Sequence, residues 1–326
     1  MLTAPLPAAL DDALAHRRAS SEGSTSRAGA DLTRRYRERG RPSGPVARSR
    51  DEVGAYAAAR LPATYAAVRI ALGELAARAP AFAPRTLLDL GAGPGTAAWA
   101  AAGLWPSLRA VTAVEAEPEM RRLGEELARA ADSAAVAGAE WVAGALPRAI
   151  PPAPFDLVTV SYVLGELAES DRTATVERGW EAAAGALVVV EPGTPDGYER
   201  VIEVRDRLIA LGGTVVAPCP HDRTCPLAGS ADWCHFAVRV ARTRAHRAAK
   251  AARLGHEDEK FSYVVVARAP GAPAAARILR HPQVRGGHVL LRLCAIDGVR
   301  PETVSRRDGD RYRRARKLSW GDDLGP

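Results

Sequence analysis

Hydrophobic positions change their spacing near residue 85, and the change separates two kinds of structure. Between residues 51 and 78, large apolar residues recur mostly every three or four positions, which predicts a helix with one apolar face. Farther along, helical stretches alternate with short apolar runs at Thr86–Leu90, Ala110–Val114, Glu140–Val142, Phe155–Val160 and Ala186–Val190. Strands that alternate with helices predict a mainly parallel sheet covered on both faces. The expected fold class is α/β, with a doubly wound, Rossmann-like sheet.

The same patterns divide the chain into six expected segments. Residues 1–50 begin with a short helix and continue, from residue 20, as an arm rich in Ser, Gly and Arg, which predicts a flexible basic arm. The late strands are expected at Phe261–Arg268 and His288–Leu293. The other segments are a helical extension (51–80), the sheet core (81–211), a cysteine-rich insertion with a basic helix (212–260), late strands that complete the sheet (261–298) and a basic C-terminal tail (299–326).

A glycine-rich turn follows the first strand of this sheet. Asp89, Gly91, Gly93 and Gly95 alternate with other residues and lead into a helix at Thr96. Glycines permit positive φ and a close approach of a ligand to the backbone, and a helix N-terminus offers free N–H groups to an anion. A dinucleotide-binding loop would place its third glycine or alanine at Thr96, so the spacing argues against NAD. A turn that binds no ligand is the alternative.

This Asp-x-Gly-x-Gly-x-Gly pattern resembles the first motif of class I methyltransferases, which bind S-adenosylmethionine. The resemblance implies that the loop holds the methionine end of that cofactor. It also implies that Glu115, which closes the second strand, accepts hydrogen bonds from the ribose hydroxyls. Segment 142–146 lacks the acidic residue that often reads the adenine amine in that family.

The end of the fourth strand carries no Asn- or Asp-Pro-Pro-aromatic motif, which enzymes that methylate base amines place there. Ser161, Tyr162 and Glu166 could line a substrate pocket at this position. Packing by Tyr162 and a solvent-facing Glu166 are the alternatives. No residue is assigned a catalytic role.

Charge adds a candidate partner. The net charge is +7 and the pI is about 9.6, yet only three of the 45 basic residues are lysines. Arginines concentrate at residues 239–253 and 306–317, where they could pair bidentately with phosphate. The first stretch is expected to be a helix with a basic stripe, and a solvated helix face is the alternative. RNA is therefore the expected polyanion.

The sequence shows no apolar leader, and its longest uncharged stretch, between Asp89 and Arg109, is interrupted by glycine and proline. We therefore expect a cytoplasmic protein with no membrane partner. Stable disulfides are disfavoured in such a compartment, so the cysteines need another role.

Four cysteines, Cys219, Cys225, Cys234 and Cys294, are separated by five, eight and 59 residues. Four thiolates suit tetrahedral zinc or an iron–sulfur cluster. Structural zinc sites usually use closer pairs, although neighbouring histidines such as His221 keep a mixed zinc site open. Ordinary buried thiols are a third alternative, which fits Cys294 on its apolar strand better than the other three. Spacing alone leaves the alternatives open.

Several segments together resemble the ribosomal small-subunit assembly methyltransferase-like family of bacteria and mitochondria. The resemblance implies that the four cysteines bind a four-iron, four-sulfur (4Fe-4S) cluster, and that the chain associates with the small ribosomal subunit or its rRNA. The matching segments are Tyr56–Tyr65, the glycine loop, Glu191–Pro195, Cys219–Phe236, Lys260–Tyr263, Arg314–Lys317 and Trp320–Asp322.

The expected function is small-subunit assembly or translation through rRNA binding, with the methyltransferase fold as a scaffold for S-adenosylmethionine and the cluster. An active methyltransferase that modifies rRNA or protein is one alternative, and an iron- or redox-sensing translation factor is another. We expect no DNA partner, and a monomer away from the ribosome.

Overall fold

The computed structural model describes residues 2–19, 50–152, 154–241 and 256–325, in which strands and helices alternate before a run of strands. Single 3-10 turns cover Leu164–Glu166 and Arg306–Asp308. No helix in these ranges is long and apolar enough to cross a membrane. The elements in chain order are β1 (Leu2–Thr3), α1 (Ala8–Ala19), α2 (Arg50–Arg78), β2 (Thr86–Leu90), α3 (Thr96–Ala102), β3 (Ala110–Glu115), α4 (Pro118–Ala128), α5 (Ala134–Ala137), β4 (Glu140–Ala143), β5 (Phe155–Ser161), α6 (Glu169–Ala182), β6 (Ala183–Pro192), α7 (Pro195–Ala210), β7 (Thr214–Ala217), β8 (Phe236–Ala241), β9 (His256–Ala267), β10 (Ala276–Ile278), β11 (Gln283–Arg285), β12 (His288–Ala295), β13 (Gly298–Ser305) and α8 (Gly309–Ala315).

The main sheet orders its strands β1-β8-β9-β6-β5-β2-β3-β4, and β7 also pairs with β9. Strands β2 to β6 run parallel to one another, whereas β9 is antiparallel to β6. Because the parallel strands are covered on both faces, they contain near-continuous apolar runs such as the fully buried 187–190. The expected α/β, doubly wound sheet is confirmed.

Alternate residues of these strands enter two separate cores. Leu87 and Leu157 face the layer that contains α1 to α5, where Leu72 of α2 is fully buried. Leu88 and Val158 face the layer that contains α6 and α7. Burying one such leucine contributes roughly 1.5–3 kcal/mol. Helix α2 therefore covers one face of the sheet.

Two short strands, β7 and β8, share one edge of β9. β7 pairs from Thr214 opposite Ala267, and β8 begins to pair at Phe236 opposite Phe261. Between them the chain leaves the sheet over residues 218–235, and this segment carries three of the four cysteines. The interruption therefore places those cysteines at a fixed point along the sheet edge.

Strands β10 to β13 form a second, antiparallel sheet of four strands within the described ranges. Of the late strands expected to complete the main sheet, only β9 does so. Segment Pro270–Pro273 explains the break, because proline cannot donate to a strand ladder and turns the chain out of the sheet.

The expected basic tail contains β13, which belongs to the second sheet, and α8, which packs against that sheet through Tyr312 and Ala315. One further expectation differs from the structure. The expected basic helix does not start after Cys234, since residues 236–241 are strand β8 and Arg239 pairs with Asp258 of β9. Residues 242–255, and residues 20–49 of the expected arm, lie outside the described ranges.

One buried arginine joins the second sheet to the main body. Arg277 of β10 is 1% exposed and donates hydrogen bonds to Pro218 O (3.0 Å), Gly321 O (2.6 Å) and Glu74 Oε2 (2.7 Å). A buried charge is tolerated when it is paired and hydrogen-bonded. Arg277 therefore fixes the cysteine loop, the C-terminal segment and helix α2 together.

We expect Glu74→Gln to destabilise the protein by about 2–4 kcal/mol, because it removes the ion-pair partner of the buried Arg277 guanidinium. The control is Glu177→Gln, which breaks a more exposed ion pair with Arg207 and should cost less than about 1 kcal/mol. Urea unfolding at a single pH measures both free energies. An equal decrease in the free energy of unfolding in both variants would contradict the role given to Glu74.

Candidate functional site

The glycine loop lies at the carboxyl end of β2, between the ends of β3 and β5. Gly91, Gly93 and Gly95 have φ values of 70°, 54° and 81°, a region that other residues enter only with strain. Helix α3 starts at the next residue, Thr96. In open parallel sheets ligands bind outside the carboxyl ends of the strands, where the strand order reverses, and β2 lies at this reversal. The loop is therefore in the position of a ligand loop.

Side chains pack against two of the three glycines in the loop, and the third glycine is not covered by a described residue. A Cβ atom on Gly91 would lie 2.6 Å from Val163, and one on Gly95 would lie 3.3 Å from Trp141. At Gly93, a Cβ atom would meet no atom of the described residues within 4 Å. Gly93 is thus the point where a ligand can approach the backbone.

Glu115, at the end of β3, turns its carboxylate towards this loop. Its Oε2 accepts from the N–H of Gly93 at 2.7 Å, and its Oε1 accepts from the N–H of Glu117 at 2.8 Å. Burial raises the pKa of Glu115, and these two backbone donors partly offset that effect. The structure brings Glu115 to the glycine loop, and its contact with a ribose stays a prediction.

Asp89 lies beneath the loop and is fully buried. Its Oδ1 accepts from Thr159 Oγ1 at 2.8 Å, whereas Oδ2 has no hydrogen-bond partner among the described residues. Burial raises the pKa of Asp89 to about 7, against the opposing effect of the Thr159 hydroxyl. Asp89 can therefore take up a proton near neutral pH.

Tyr162 follows β5 in a left-handed conformation, with φ at 58°, which is strained for a bulky residue. Its hydroxyl donates to Glu259 Oε1 at 3.1 Å, and the Glu259 carboxylate also accepts two hydrogen bonds from Arg60. Glu166 is exposed in the 3-10 turn that follows. The contacts with Glu259 and Arg60 were not foreseen from the sequence, because both residues are distant in sequence from Tyr162.

The four cysteines line one cavity with about 510 Å³ of space between atoms, part of which opens to solvent. Cys219 and Cys225 lie in the segment after β7, Cys234 lies just before β8, and Cys294 lies on β12 of the second sheet. Within the described ranges, no three His, Cys, Asp or Glu side chains stand close enough to hold a single metal ion. The four thiols thus share the lining of one cavity. We call it the cysteine cavity.

The cavity disfavours thiolate charge. Burial raises the pKa of Cys294 to about 12, with further increases from Cys219 and Cys225. Burial also raises the pKa of Cys234 well above its usual value, and the other three cysteines add to this effect. The pKa of Cys219 is raised by burial and lowered by Arg205. Four thiolates here would need added positive charge, such as a bound metal supplies.

Residues of helix α7 and of the loop itself hold the cysteine cavity in shape. Tyr198 Oη is 3.3 Å from Cys225 Sγ, and Trp233 Nε1 donates to Gly193 O at 3.0 Å. Arg205, which is 1% exposed, also lines the cavity. Sequence reasoning missed Arg205, although a signal was present: this arginine interrupts the apolar stripe of α7.

Exposed arginines follow strand β13, in the 3-10 turn Arg306–Asp308 and in helix α8. Arg306 and Arg307 are exposed, and neither forms an ion pair with a carboxylate of the described residues. Arg311 pairs with Glu302 of β13, so its charge is partly neutralised. The two unpaired guanidinium groups are available to an anionic partner.

The sequence profile described as "Mitochondrial small ribosomal subunit Rsm22" matches residues 50–325. A human relative, "Ribosome assembly protein METTL17, mitochondrial", is 36% identical over 292 residues, which cover 82% of this chain and 61% of the relative. A fission-yeast relative, "Rsm22-cox11 tandem protein 2, mitochondrial", is 25% identical over 285 residues, covering 72% of this chain and 38% of that protein. The chain thus spans about 61% of the human relative's length.

Solved structures with similar folds include methyltransferases. One is the magnesium protoporphyrin IX methyltransferase of Synechocystis PCC 6803 with bound SAM (12% identity, TM-score 0.42, 74% of this chain and 91% of that chain). Another is the precorrin-6y C5,15-methyltransferase of Geobacter metallireducens GS-15 (16% identity, TM-score 0.40, 61% and 86%).

We expect Gly91→Ala to destabilise the protein by about 2–4 kcal/mol, because the new methyl group adds a clash with Val163 to the strain of positive φ. Gly212→Ala is the matched control: φ is 82°, and its Cβ atom would meet nothing described within 4 Å. It should cost only the backbone strain, about 1–2 kcal/mol. Chemical unfolding of both variants tests this; a control as unstable as Gly91→Ala would contradict it.

Asp89 should make stability depend on pH. Its pKa rises on folding from 3.8 to about 7, so its stabilising contribution is complete below pH 4 and is lost as the pH rises towards 7. Relative to Asp89→Asn, the wild type should therefore lose roughly 3 kcal/mol between pH 5 and pH 8. Urea unfolding at the two pH values measures this, with Asp196→Asn, an exposed carboxyl, as the control. A constant difference between wild type and Asp89→Asn would oppose the assignment.

Proposed function

The chain belongs to the family described as mitochondrial small ribosomal subunit Rsm22, and from that membership we infer a role in small-subunit assembly through binding to rRNA. The human relative is named a ribosome assembly protein, which supports the same role for this chain. The observation that carries the rest of the proposal is the convergence of four cysteines on one cavity, three from the segment between β7 and β8 and one from β12 of the second sheet. In this proposal the methyltransferase-type sheet is a scaffold, and the cysteine cavity orders the surface beside it.

The cysteine cavity is proposed to hold a 4Fe-4S cluster through Cys219, Cys225, Cys234 and Cys294. Three features of the donor set fit such a group. All four donors are thiols, which iron–sulfur clusters use as ligands. The four thiols come from separate segments of the chain and line one cavity. Buried guanidinium groups also line the cavity, and they would offset part of the negative charge of four thiolates. The bound group would supply the positive charge that keeps these thiols deprotonated.

The glycine loop is proposed to hold S-adenosylmethionine. Gly91, Gly93 and Gly95 would shape the loop around the cofactor, and the open backbone at Gly93 fits a close approach. Asp89 supports the loop from below through its bond with Thr159. Glu115 would exchange its bond with the Gly93 N–H for hydroxyl donors of the cofactor. The cofactor would bring an activated methyl group to the end of β5, near Tyr162.

The proposed rRNA contact lies on the second sheet and its C-terminal helix. Arg306 and Arg307 present exposed guanidinium groups, which pair well with phosphates. Cys294 belongs to β12, which pairs directly with β13, the strand that precedes these arginines. Filling the cysteine cavity would therefore hold the basic surface in place. The relatives are named as mitochondrial proteins, so the comparisons lend no support to the cytoplasmic location expected from the sequence.

Iron, sulfide and zinc analysis of anaerobically purified protein tests the cluster. We expect four irons and four sulfides per wild-type chain, in line with a 4Fe-4S group. Cys294→Ser should lose the iron and lower the unfolding temperature, because metal-binding free energy is also folding free energy. Arg292→Lys, an exposed position on the same strand, should keep the wild-type iron content. A colourless wild-type protein that holds one zinc would contradict the cluster.

Titration of small-subunit rRNA at several salt concentrations tests the RNA surface. We expect the double variant Arg306→Gln/Arg307→Gln to bind more weakly, and to lower the slope of log affinity against log salt by roughly 1 for each lost phosphate contact. Arg122→Gln, an exposed arginine on α4, is the control and should bind as the wild type does. An unchanged slope in the double variant would remove these arginines from the interface.

A further inference from the structure

Arg205 has one N–H donor, Nε, without an acceptor among the described residues. This residue of α7 is 1% exposed and lies in the wall of the cysteine cavity. Its Nη2 donates to His221 O at 2.9 Å and to Arg223 O at 2.6 Å, and its Nη1 donates to Asp206. Its Nε, which is buried, has no hydrogen-bond partner among the described residues. A buried N–H without an acceptor is costly, so its presence calls for an acceptor.

Arg277 shows the contrasting case in the same cavity wall. Its Nε donates to Pro218 O, its Nη1 to Gly321 O and its Nη2 to Glu74. Each of its nitrogens thus has an acceptor within the protein, and its role as a joint between segments accounts for them. Arg205 differs: Nη2 donates to two carbonyls of the loop and Nη1 donates to the Asp206 carboxylate, while Nε has no acceptor among the described residues.

The Arg205 guanidinium has a sulfur neighbour, the thiol of Cys219. Cys219 and Cys225 flank the two carbonyls that Arg205 holds, at His221 and Arg223. The guanidinium also lies close enough to Cys219 to counteract the effect of burial on the pKa of that thiol. Deprotonated sulfur is an acceptor for N–H donors, and hydrogen bonds to sulfur help to set the reduction potential of iron–sulfur groups.

We propose that Arg205 is a positioning residue for the metal-bound form of the cysteine cavity: Nε–H donates to the Cys219 thiolate, while Nη2 fixes the loop between Cys219 and Cys225. This proposal rests on the cluster proposed above. In this arrangement one side chain sets the separation of two ligands and compensates part of their negative charge. Reduction adds negative charge to the bound group, so the guanidinium stabilises the reduced form relative to the oxidised form.

The test compares substitutions that remove parts of this role. Arg205→Lys keeps the positive charge but loses Nε and the fork that holds two carbonyls. Arg205→Met also removes the charge. Arg207→Met is the matched control, because Arg207 lies two residues farther along α7 and is half-exposed. Each full-length protein is purified anaerobically and assayed for iron and sulfide, midpoint reduction potential, and the electron paramagnetic resonance spectrum of the reduced form.

We expect the midpoint reduction potential to shift by different amounts in the three variants. Arg207→Met should match the wild type, Arg205→Lys should have a more negative potential and an altered spectrum, and Arg205→Met should be the most negative. If Arg205→Met does not fold, Arg205→Lys decides the question. Wild-type potential and spectrum in both Arg205 variants would overturn the proposal, as would a lower unfolding temperature with no shift in potential, which is the result of a purely structural role.

Different results would overturn the cluster and the role of Arg205. A wild-type protein without iron and sulfide would overturn the cluster, and the role of Arg205 with it, before any variant is compared. A cluster-loaded wild type whose Arg205 variants keep its potential would overturn the role of Arg205 alone.

Discussion

The interruption of one sheet strand is the constraint on which the cysteine cavity depends. β7 and β8 share an edge of β9, and the chain between them leaves the sheet without a neighbouring strand to satisfy its backbone. Two buried arginines supply the missing donors: Arg277 bonds to Pro218 O, and Arg205 bonds to the carbonyls of His221 and Arg223. The loop is held by charged side chains, and buried charges require their full set of partners. The shape of the cavity therefore depends on these two residues.

Helix α7 connects this cavity to the region of the glycine loop. On one side, Tyr198 and Arg205 face the cysteines. On another side, Arg200 Nε donates to Glu191 Oε2 at 2.8 Å, and Glu191 Oε1 accepts from the N–H of Leu164 at 3.1 Å. Leu164 follows Val163, the residue that packs against Gly91. The two candidate sites thus share one supporting helix.

Local patterns in the sequence were sufficient for the parallel strands β2 to β6 of the main sheet. The alternation of apolar runs with helical stretches located β2 to β6, and the glycine spacing located the turn after β2. The partner of each strand could not be predicted in the same way. Apolar residues recur at every second position along β12, and this pattern is compatible with either sheet. The segment Pro270–Pro273 was the available sign that the chain leaves the main sheet.

The candidate sites were only partly readable. The glycines and cysteines are chemically distinctive, so the sequence singled them out as candidates, whereas spacing alone left the role of the cysteines open. Arg205, Arg277 and Glu259 act through contacts that are distant in sequence, and an arginine in a basic chain is not conspicuous. Their roles depend on burial, which a single sequence does not give.

Controlled oxidation of metal-free protein most directly tests whether Cys294 lies with the other three thiols. The chain is stripped of metal under reducing conditions, oxidised at low protein concentration with a copper–phenanthroline catalyst, and digested for peptide mapping. The account predicts an intramolecular disulfide between the Cys294 peptide and a peptide that carries Cys219, Cys225 or Cys234. Cys294 that stays reduced, or that links only to another molecule, while the other three pair among themselves would contradict the shared cavity.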